Sequence, residues 1–438
     1  MERRDFLQLS ALGAAGVLWP RVYPGSTGAL EELATATLLP GVPESATDEA
    51  FWRRIRALYT PPTDYLDFAH ANISPTSISV FDAFAERSRW LSQAPAERVF
   101  GTIWGDEDAG AYPALAALLG TQLERVAFMA NSTTALNTIL HGFPLERGDE
   151  ILVTNHEYPD MVETILQRSR REGISMRIVP VPGSHESRLA LVDRVAAAIS
   201  PRTKLLLISH VSAWSGEILP VAEVTAAARD RGVAVLVDAA QSVGMLDVSF
   251  DAIGCDFLAT SLHKWLGAPL ASGALVMRPE HVERVWPLHP PSWDTTEYPM
   301  TRFTWTGTIN SAAPAGVVDA IAFQRTLGAD RKRARTRYLG DYWQSRLADV
   351  PKVRLLTPRD PVRSFGVASF MVEGVPSDAL VKHLRQRKGL LVQSKAGRHS
   401  PFANAVRVSP GPYTTPGELD RLVAAVREVA RSGIPNSE

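Results

Sequence analysis

The 438-residue chain contains a single cysteine, Cys255, so no internal disulfide can close and no cysteine-rich metal site can be assembled. Lysine is scarce as well. Lys204, Lys264, Lys332, Lys352, Lys382, Lys388 and Lys395 are the only seven among 46 basic residues, and none occurs in the first 203 positions. Chemistry that needs an amine nucleophile therefore has few candidates. Neither sign of charge is in excess (46 basic, 47 acidic, net −1), which argues against a nucleic-acid partner. No apolar run reaches the roughly 18 residues that suggest a membrane helix, so no membrane contact is expected of the mature chain. His156, His185, His210, His281 and His289 show no H-E-x-x-H spacing, and no metal is expected. Internal repeats and low-complexity tracts are lacking too.

What is present begins with a charged start, residues 1–8, followed by an apolar run at 9–19. That run is too short to cross a hydrocarbon core of ~30 Å at ~1.5 Å per residue, and it reads as an export signal. Arg3–Arg4 followed by Phe6–Leu7 resembles a twin-arginine signal, with Glu2 where Ser or Thr is usual and Ala34–Thr35–Ala36 as the best cleavage candidate. It implies the twin-arginine export machinery as a partner and a periplasmic or secreted location. The chain divides into signal and linker (1–36), a large domain (37–325) and a small C-terminal domain (326–438).

Between 125 and 277, short strands that are apolar throughout (125–129, 150–154, 176–181, 204–209, 234–237, 257–260, 274–277) alternate with helical patterns. Alternation of this kind predicts an α/β fold with a buried, mainly parallel sheet. After about 322 the pattern changes to a long Arg-rich helix (329–348), strands at 353–356, 366–372 and 406–408, and helices at 377–387 and 416–431, an α+β layout. The basic run at 331–335 reads as a solvated helix face.

The strand at 234–237 runs into Asp238–Ala239–Ala240–Gln241, and the strand at 257–260 into Ser261–Leu262–His263–Lys264–Trp265. Ligands of parallel sheets sit beyond the carboxyl ends of the strands, so an acid, an amide and a Ser/His/Lys cluster should meet in one crevice. A lysine there forms imines readily, because burial favours the neutral amine. A carboxylate opposite it can keep a pyridinium nitrogen protonated. The strand ending at Met129 leads through Ala130–Asn131–Ser132–Thr133–Thr134 into a helix, whose N-terminal N–H groups and hydroxyls suit a phosphate.

Asn131–Ser132–Thr133–Thr134–Ala135–Leu136–Asn137, Asp238–Ala239–Ala240–Gln241–Ser242–Val243–Gly244 and His263–Lys264–Trp265–Leu266–Gly267–Ala268–Pro269 together resemble the class V aminotransferases of pyridoxal-phosphate fold type I. The isopenicillin N epimerase-like branch is the most similar, and the resemblance runs from about Tyr65 to the C-terminus. It implies pyridoxal 5'-phosphate bonded to Lys264, which also moves the α-proton. Asp238 pairs with the pyridine nitrogen, Gln241 reaches the phenolic oxygen, and Ser132, Thr133, Ser261 and His263 hold the phosphate. Tyr158 falls at the ring-stacking position. Trp305–Thr306–Gly307–Thr308 matches a stretch in which Thr306 and Thr308 approach the phosphate from a second subunit, implying a homodimer. Arg407 clamps the carboxylate of a small-molecule or peptide substrate with an amino-acid moiety, as a planar guanidinium fork suits. Ala213 stands where a polar Asn is common, and Trp214 narrows the pocket. The 391–401 loop, which bears the nucleophilic cysteine of cysteine desulfurases, has none here, and Cys255 reads as buried packing. Epimerisation, transamination and direct carbon–sulfur cleavage all stay open, as does cofactor binding without turnover.

Overall fold

In the computed structural model the described residues are 45–102 and 110–435, with the backbone alone for 100–102. The twin-arginine-like segment lies outside them. The strands are β1 (Leu66–Asp67), β2 (Val126–Met129), β3 (Glu150–Thr154), β4 (Ser175–Val179), β5 (Thr203–Ser209), β6 (Ala234–Asp238), β7 (Phe257–Ser261), β8 (Gly273–Met277), β9 (Val353–Leu355), β10 (Ala368–Val372), β11 (Leu390–Leu391), β12 (Gln393–Ser394) and β13 (Val406–Val408).

Seven of them form a sheet in the order β2-β8-β7-β6-β5-β3-β4. Every pairing is parallel except the two made by β8. Strands that are apolar throughout are what a sheet covered on both faces requires. Along β6, Val235 and Val237 enter one core and Leu236 the other, so side-chain alternation feeds two hydrophobic layers from one strand. Helices such as Ser132–Gly142, Pro159–Glu172 and Val221–Arg229 supply the covering faces. A mainly parallel α/β sheet covered on both faces is the layout the sequence predicts.

The C-terminal residues build a four-stranded antiparallel sheet, β12-β13-β10-β9. Helices Ala329–Leu347, Ser377–Lys388 and Pro416–Ser432 pack on it through Leu339, Trp343, Leu384, Leu422 and Val426. The last helix starts at a capping box. Thr415 Oγ1 accepts from Glu418 N–H (3.3 Å), and the Glu418 carboxylate accepts from Thr415 N–H (2.8 Å). A short parallel pair, β1 with β11, ties the N-terminal part of the chain to this layer.

Two expectations need correction. The 331–335 run is not a solvated face, since Lys332 and Arg335 are buried. The Arg335 guanidinium reaches both Glu49 oxygens (2.6 and 3.0 Å) and the carbonyls of Ala46, Pro412 and Thr414, while Lys332 bonds Trp265 O and Gln324 Oε1. Burial is tolerated because nearly every N–H finds an acceptor. Residues 20–50, whose Gly, Pro, Thr and Ala content reads as an extended linker, end in structure: Asp48 caps a helix, Glu49–Arg56, by accepting from Phe51 N–H at 3.0 Å.

Candidate active site

The carboxyl ends of β2, β3, β5, β6 and β7 lie at one edge of the large sheet, because these strands run in the same direction. β8 enters this edge at Gly273. A Cβ there would stand 2.7 Å from both Asn131 Cα and Thr260 O, so only glycine lets the loop after β2 close on the end of β7. The contact this permits is made by hydroxyls. Ser261 Oγ accepts from Ser132 N–H at 2.9 Å and donates to Ser132 Oγ at 2.8 Å.

Asn131 caps the following helix, with Oδ1 accepting from Thr134 N–H at 2.8 Å. Of the first-turn N–H groups, Ser132 and Thr134 are thereby satisfied, and Thr133 N–H has no acceptor among the described residues. His263 Nδ1, on the turn after β7, is buried and also lacks a partner. An exposed Thr133 hydroxyl, a free helix N–H and an orphaned imidazole nitrogen fit a phosphate at this corner.

Lys264 follows on the same turn, and its amine has no hydrogen-bond partner among the described residues. Burial and the positive charge of Arg407 bring its pKa down to about 8, against the opposing pull of Asp238. Asp238 closes β6, is buried, and accepts from Ala240 N–H at 2.9 Å. Burial raises its pKa, while Lys264 and the Ala240 N–H hold the shift back. A charge on a ring nitrogen would complete what Asp238 lacks.

Gln241 has an orientation that follows from its neighbours. An indole N–H can only donate, so the Gln241 Oε1 that meets Trp265 Nε1 at 2.9 Å must be the oxygen. The amide nitrogen then gives one N–H to Ala71 O (2.8 Å) and keeps one for a ligand oxygen. These residues fit pyridoxal phosphate: an uncommitted amine, a buried carboxyl opposite it, a spare amide N–H and an anion corner.

Arg407 comes from the other sheet, on β13. It is 1% exposed, with its fork held by Ala213 O (2.6 Å) and Asn72 Oδ1 (2.5 Å) and its Nε unpartnered. Tyr158, which caps the helix Pro159–Glu172, is about one-third exposed and shares the fields of Asp238 and Arg407; burial raises its pKa first of all. Thr306 is half-buried and Thr308 exposed, and neither bonds to the Lys264 cluster among the described residues.

Several neighbours escaped the sequence reading. Asn72 lies in an irregular segment with no motif. His156, buried after β3 with its Nδ1 unpartnered and its pKa lowered to about 4 by burial, is a neutral ring at the same strand edge. Glu157 beside it is buried, takes hydrogen bonds from Thr154 and Ser209, and is pushed up to about 7 by burial. Lys395 neighbours Arg407 and Lys264, and lysine scarcity was the one signal that could have singled it out. Cys255 is buried at the opposite end of the large sheet, before β7, and burial pushes its thiol far up. Asp256, Glu280 and His281 come within 4.8 Å of one another there. The Asp256 oxygens are already taken by Arg229, His281 and Val235 N–H.

The family model for class V aminotransferases matches residues 110–422. The isopenicillin N epimerase of Streptomyces clavuligerus is 34% identical over 328 residues, 71% of this chain and 82% of that protein. A probable cysteine desulfurase of Xylella fastidiosa is 28% identical over 411 residues, 87% and 96% of the respective chains. Among solved structures, a C-DES mutant with glycine covalently linked to its pyridoxal-phosphate cofactor superposes with a TM-score of 0.74 at 21% identity, covering 85% of this chain and 99% of the other. The cysteine desulfurase CsdA of Escherichia coli gives 0.72 at 21% identity, covering 86% and 98%. Family, fold and the fit of the Lys264 site agree: the chain belongs to the class V aminotransferases, with pyridoxal phosphate as its cofactor.

Proposed function

We propose that the protein acts on the amino group or α-carbon of an amino-acid moiety, with epimerisation first and transamination next among the possible outcomes. The observation that carries this reading is the convergence of a partnerless Lys264 amine and a buried, carboxylate-free Arg407 fork on one pocket. Bound there, pyridoxal phosphate supplies an electron sink that acidifies the α-proton of an attached amino acid. Lys264 Nζ, with a pKa lowered to about 8, gives up its proton far more readily near neutral pH than an exposed lysine, and so can hold the cofactor and move that proton. Asp238 keeps the ring nitrogen protonated, and Gln241 gives its spare N–H to the phenolic oxygen. Ser132, Thr133, Ser261 and His263 hold the phosphate, with Thr306 and Thr308 of a second copy joining them in a homodimer. Tyr158 and His156 are the rings placed to cover the cofactor, and Arg407 receives the α-carboxylate.

The desulfurase relatives support carbon–sulfur cleavage as a second reading. The buried Cys255 and the cysteine-free 391–401 loop favour direct cleavage over a protein persulfide. Incubation with amino acids in heavy water separates the reactions. Epimerisation yields α-deuterium without keto acid, transamination yields keto acid without free ammonia, and lyase chemistry yields pyruvate and ammonia together with sulfide from cysteine or cysteine persulfide from cystine. None of these products from a yellow, cofactor-loaded protein would defeat the enzyme reading in favour of simple cofactor binding. Arg3–Arg4 supports export as a loaded enzyme that tailors a peptide or small molecule outside the cytoplasm. Replacing the pair by Lys–Lys should stop delivery, and unchanged delivery would count against that route.

A further inference from the structure

Two basic side chains of this pocket have no acidic partner. Arg407 is 1% exposed, its Nε is unpartnered, and its other bonds go to a carbonyl and an amide oxygen. Lys395 follows β12. In the β12–β13 ladder Gln393 faces Arg407, and Lys395 N–H donates to Ala405 O at 2.7 Å. Alternate residues of a strand share a face. Lys395 and Arg407 therefore point from the same face of the small sheet as diagonal neighbours, a relation that sets such residues about 7–8 Å apart. The Lys395 amine stands 6.0 Å from the ring centre of Trp214, in a half-buried position without a hydrogen-bond partner among the described residues.

The pocket's other needs are met elsewhere. The phosphate corner is built from Ser132, Thr133, Ser261 and His263, at the end of the large sheet, and Lys264 holds the cofactor. One α-carboxylate occupies the Arg407 fork. Lys395 is left over, a half-buried amine with no anion to stabilise its protonated form. We infer that Lys395 forms a second anion subsite, so that the substrate is an amino-acid moiety carrying another acidic group several ångströms from its α-carboxylate. This rests on the reading of the site given above. Burial, Arg407 and Lys264 lower the amine to about 6, so the empty pocket holds it neutral. An arriving carboxylate restores its proton, and binding takes up a proton from solvent.

The test begins on the cofactor-free protein, with glutarate and butyrate as probes that lack an amino group. Titration calorimetry in two buffers of different ionisation enthalpy should show glutarate binding about 10- to 100-fold more tightly, with proton uptake at pH 7, as one charge-assisted contact implies. Lys395→Met should erase both the preference and the uptake, and Lys395→Arg should retain the preference without the uptake. In loaded protein, Lys395→Met should lower the kcat/KM ratio of glutamate to its isostere glutamine by a similar factor. Equal binding of the two probes by wild type, or a preference that survives Lys395→Met, overturns the subsite. Exchange of glutamine as fast as glutamate overturns it while leaving the reaction intact. Loss of all exchange with the glutarate preference retained overturns the reaction and leaves the subsite.

Discussion

Removing the lysine that carries the chemistry should make the cofactor-free protein more stable. Lys264 ionises at about 8 in the fold against 10.5 in an exposed chain. At ~1.4 kcal/mol per pKa unit, keeping it protonated in the pocket costs roughly 3 kcal/mol. The penalty is complete below pH 8, where the folded protein must protonate a buried amine. It fades as pH rises towards 10.5, where the unfolded chain gives up the same proton. Part of the gain from Lys264→Met is returned, because the Lys264 charge helps Asp238 stay ionised. The expected net stabilisation at pH 7 is about 1–3 kcal/mol. Urea unfolding of the cofactor-free proteins at pH 7 and pH 10.5 measures it, and Lys264→Arg, which keeps its charge at both pH values, should show no gain. Loaded with pyridoxal phosphate, the Met variant should lack the lysine-imine absorbance band that wild type shows. A Met variant that is less stable than wild type at pH 7, or a difference that does not shrink with rising pH, would refute the claim that the fold desolvates this amine.

Two further outcomes follow from buried pairs. Trp265→Phe removes the indole donor that orients the Gln241 amide; it should cost about 1–3 kcal/mol for the unsatisfied oxygen and shift the visible band of the loaded protein, and an unchanged spectrum would mean that Gln241 does not face the cofactor. Arg363→Ala strips Glu217 of its buried partner, both side chains being 5% exposed, and should cost about 3–5 kcal/mol at neutral pH. Glu217 is already raised by burial, and losing Arg363 raises it further, so the variant should recover stability as pH falls towards 4.5 in thermal unfolding; a pH-independent loss would contradict this.

What could be read from sequence followed the physics of each element. The inner strands of the large sheet are buried on both faces and nearly all apolar, which is visible in a single sequence, whereas the edge strand β4 leaves Arg177 and Ile178 exposed. β1, β11 and β12 have two residues each, too short for any periodicity to show. The helix Ala329–Leu347 was legible as a helix, but its buried arginine was not, because the acceptors that make Arg335 tolerable lie 286 residues away at Glu49 and 77 and 79 residues away on the carbonyls of Pro412 and Thr414. The same holds at the site. Asp238, Lys264 and Ser132 follow from the rule that strand ends meet in one crevice. Arg407 was reached through resemblance, and Asn72, Lys395 and the Trp265–Gln241 bond depend on packing between segments distant in sequence.

The 210–218 loop explains how two sheets can share one pocket. On one side His210 N–H donates to Asp238 O at 2.8 Å, and Trp214 Nε1 to Glu157 O at 2.9 Å. On the other, Ser369 Oγ donates to Trp214 O at 2.6 Å, Ile218 N–H to Arg363 O at 2.9 Å, and Arg407 to Ala213 O. Gly216, at a φ of +75°, lets the loop press on the small sheet, where a Cβ would meet Val367 O at 2.2 Å. Asp238 and Arg407 are thus bonded to the same nine residues from opposite sides. Their separation is set by the folded chain before any ligand arrives, and binding need not spend energy arranging the carboxylate clamp against the cofactor's acid.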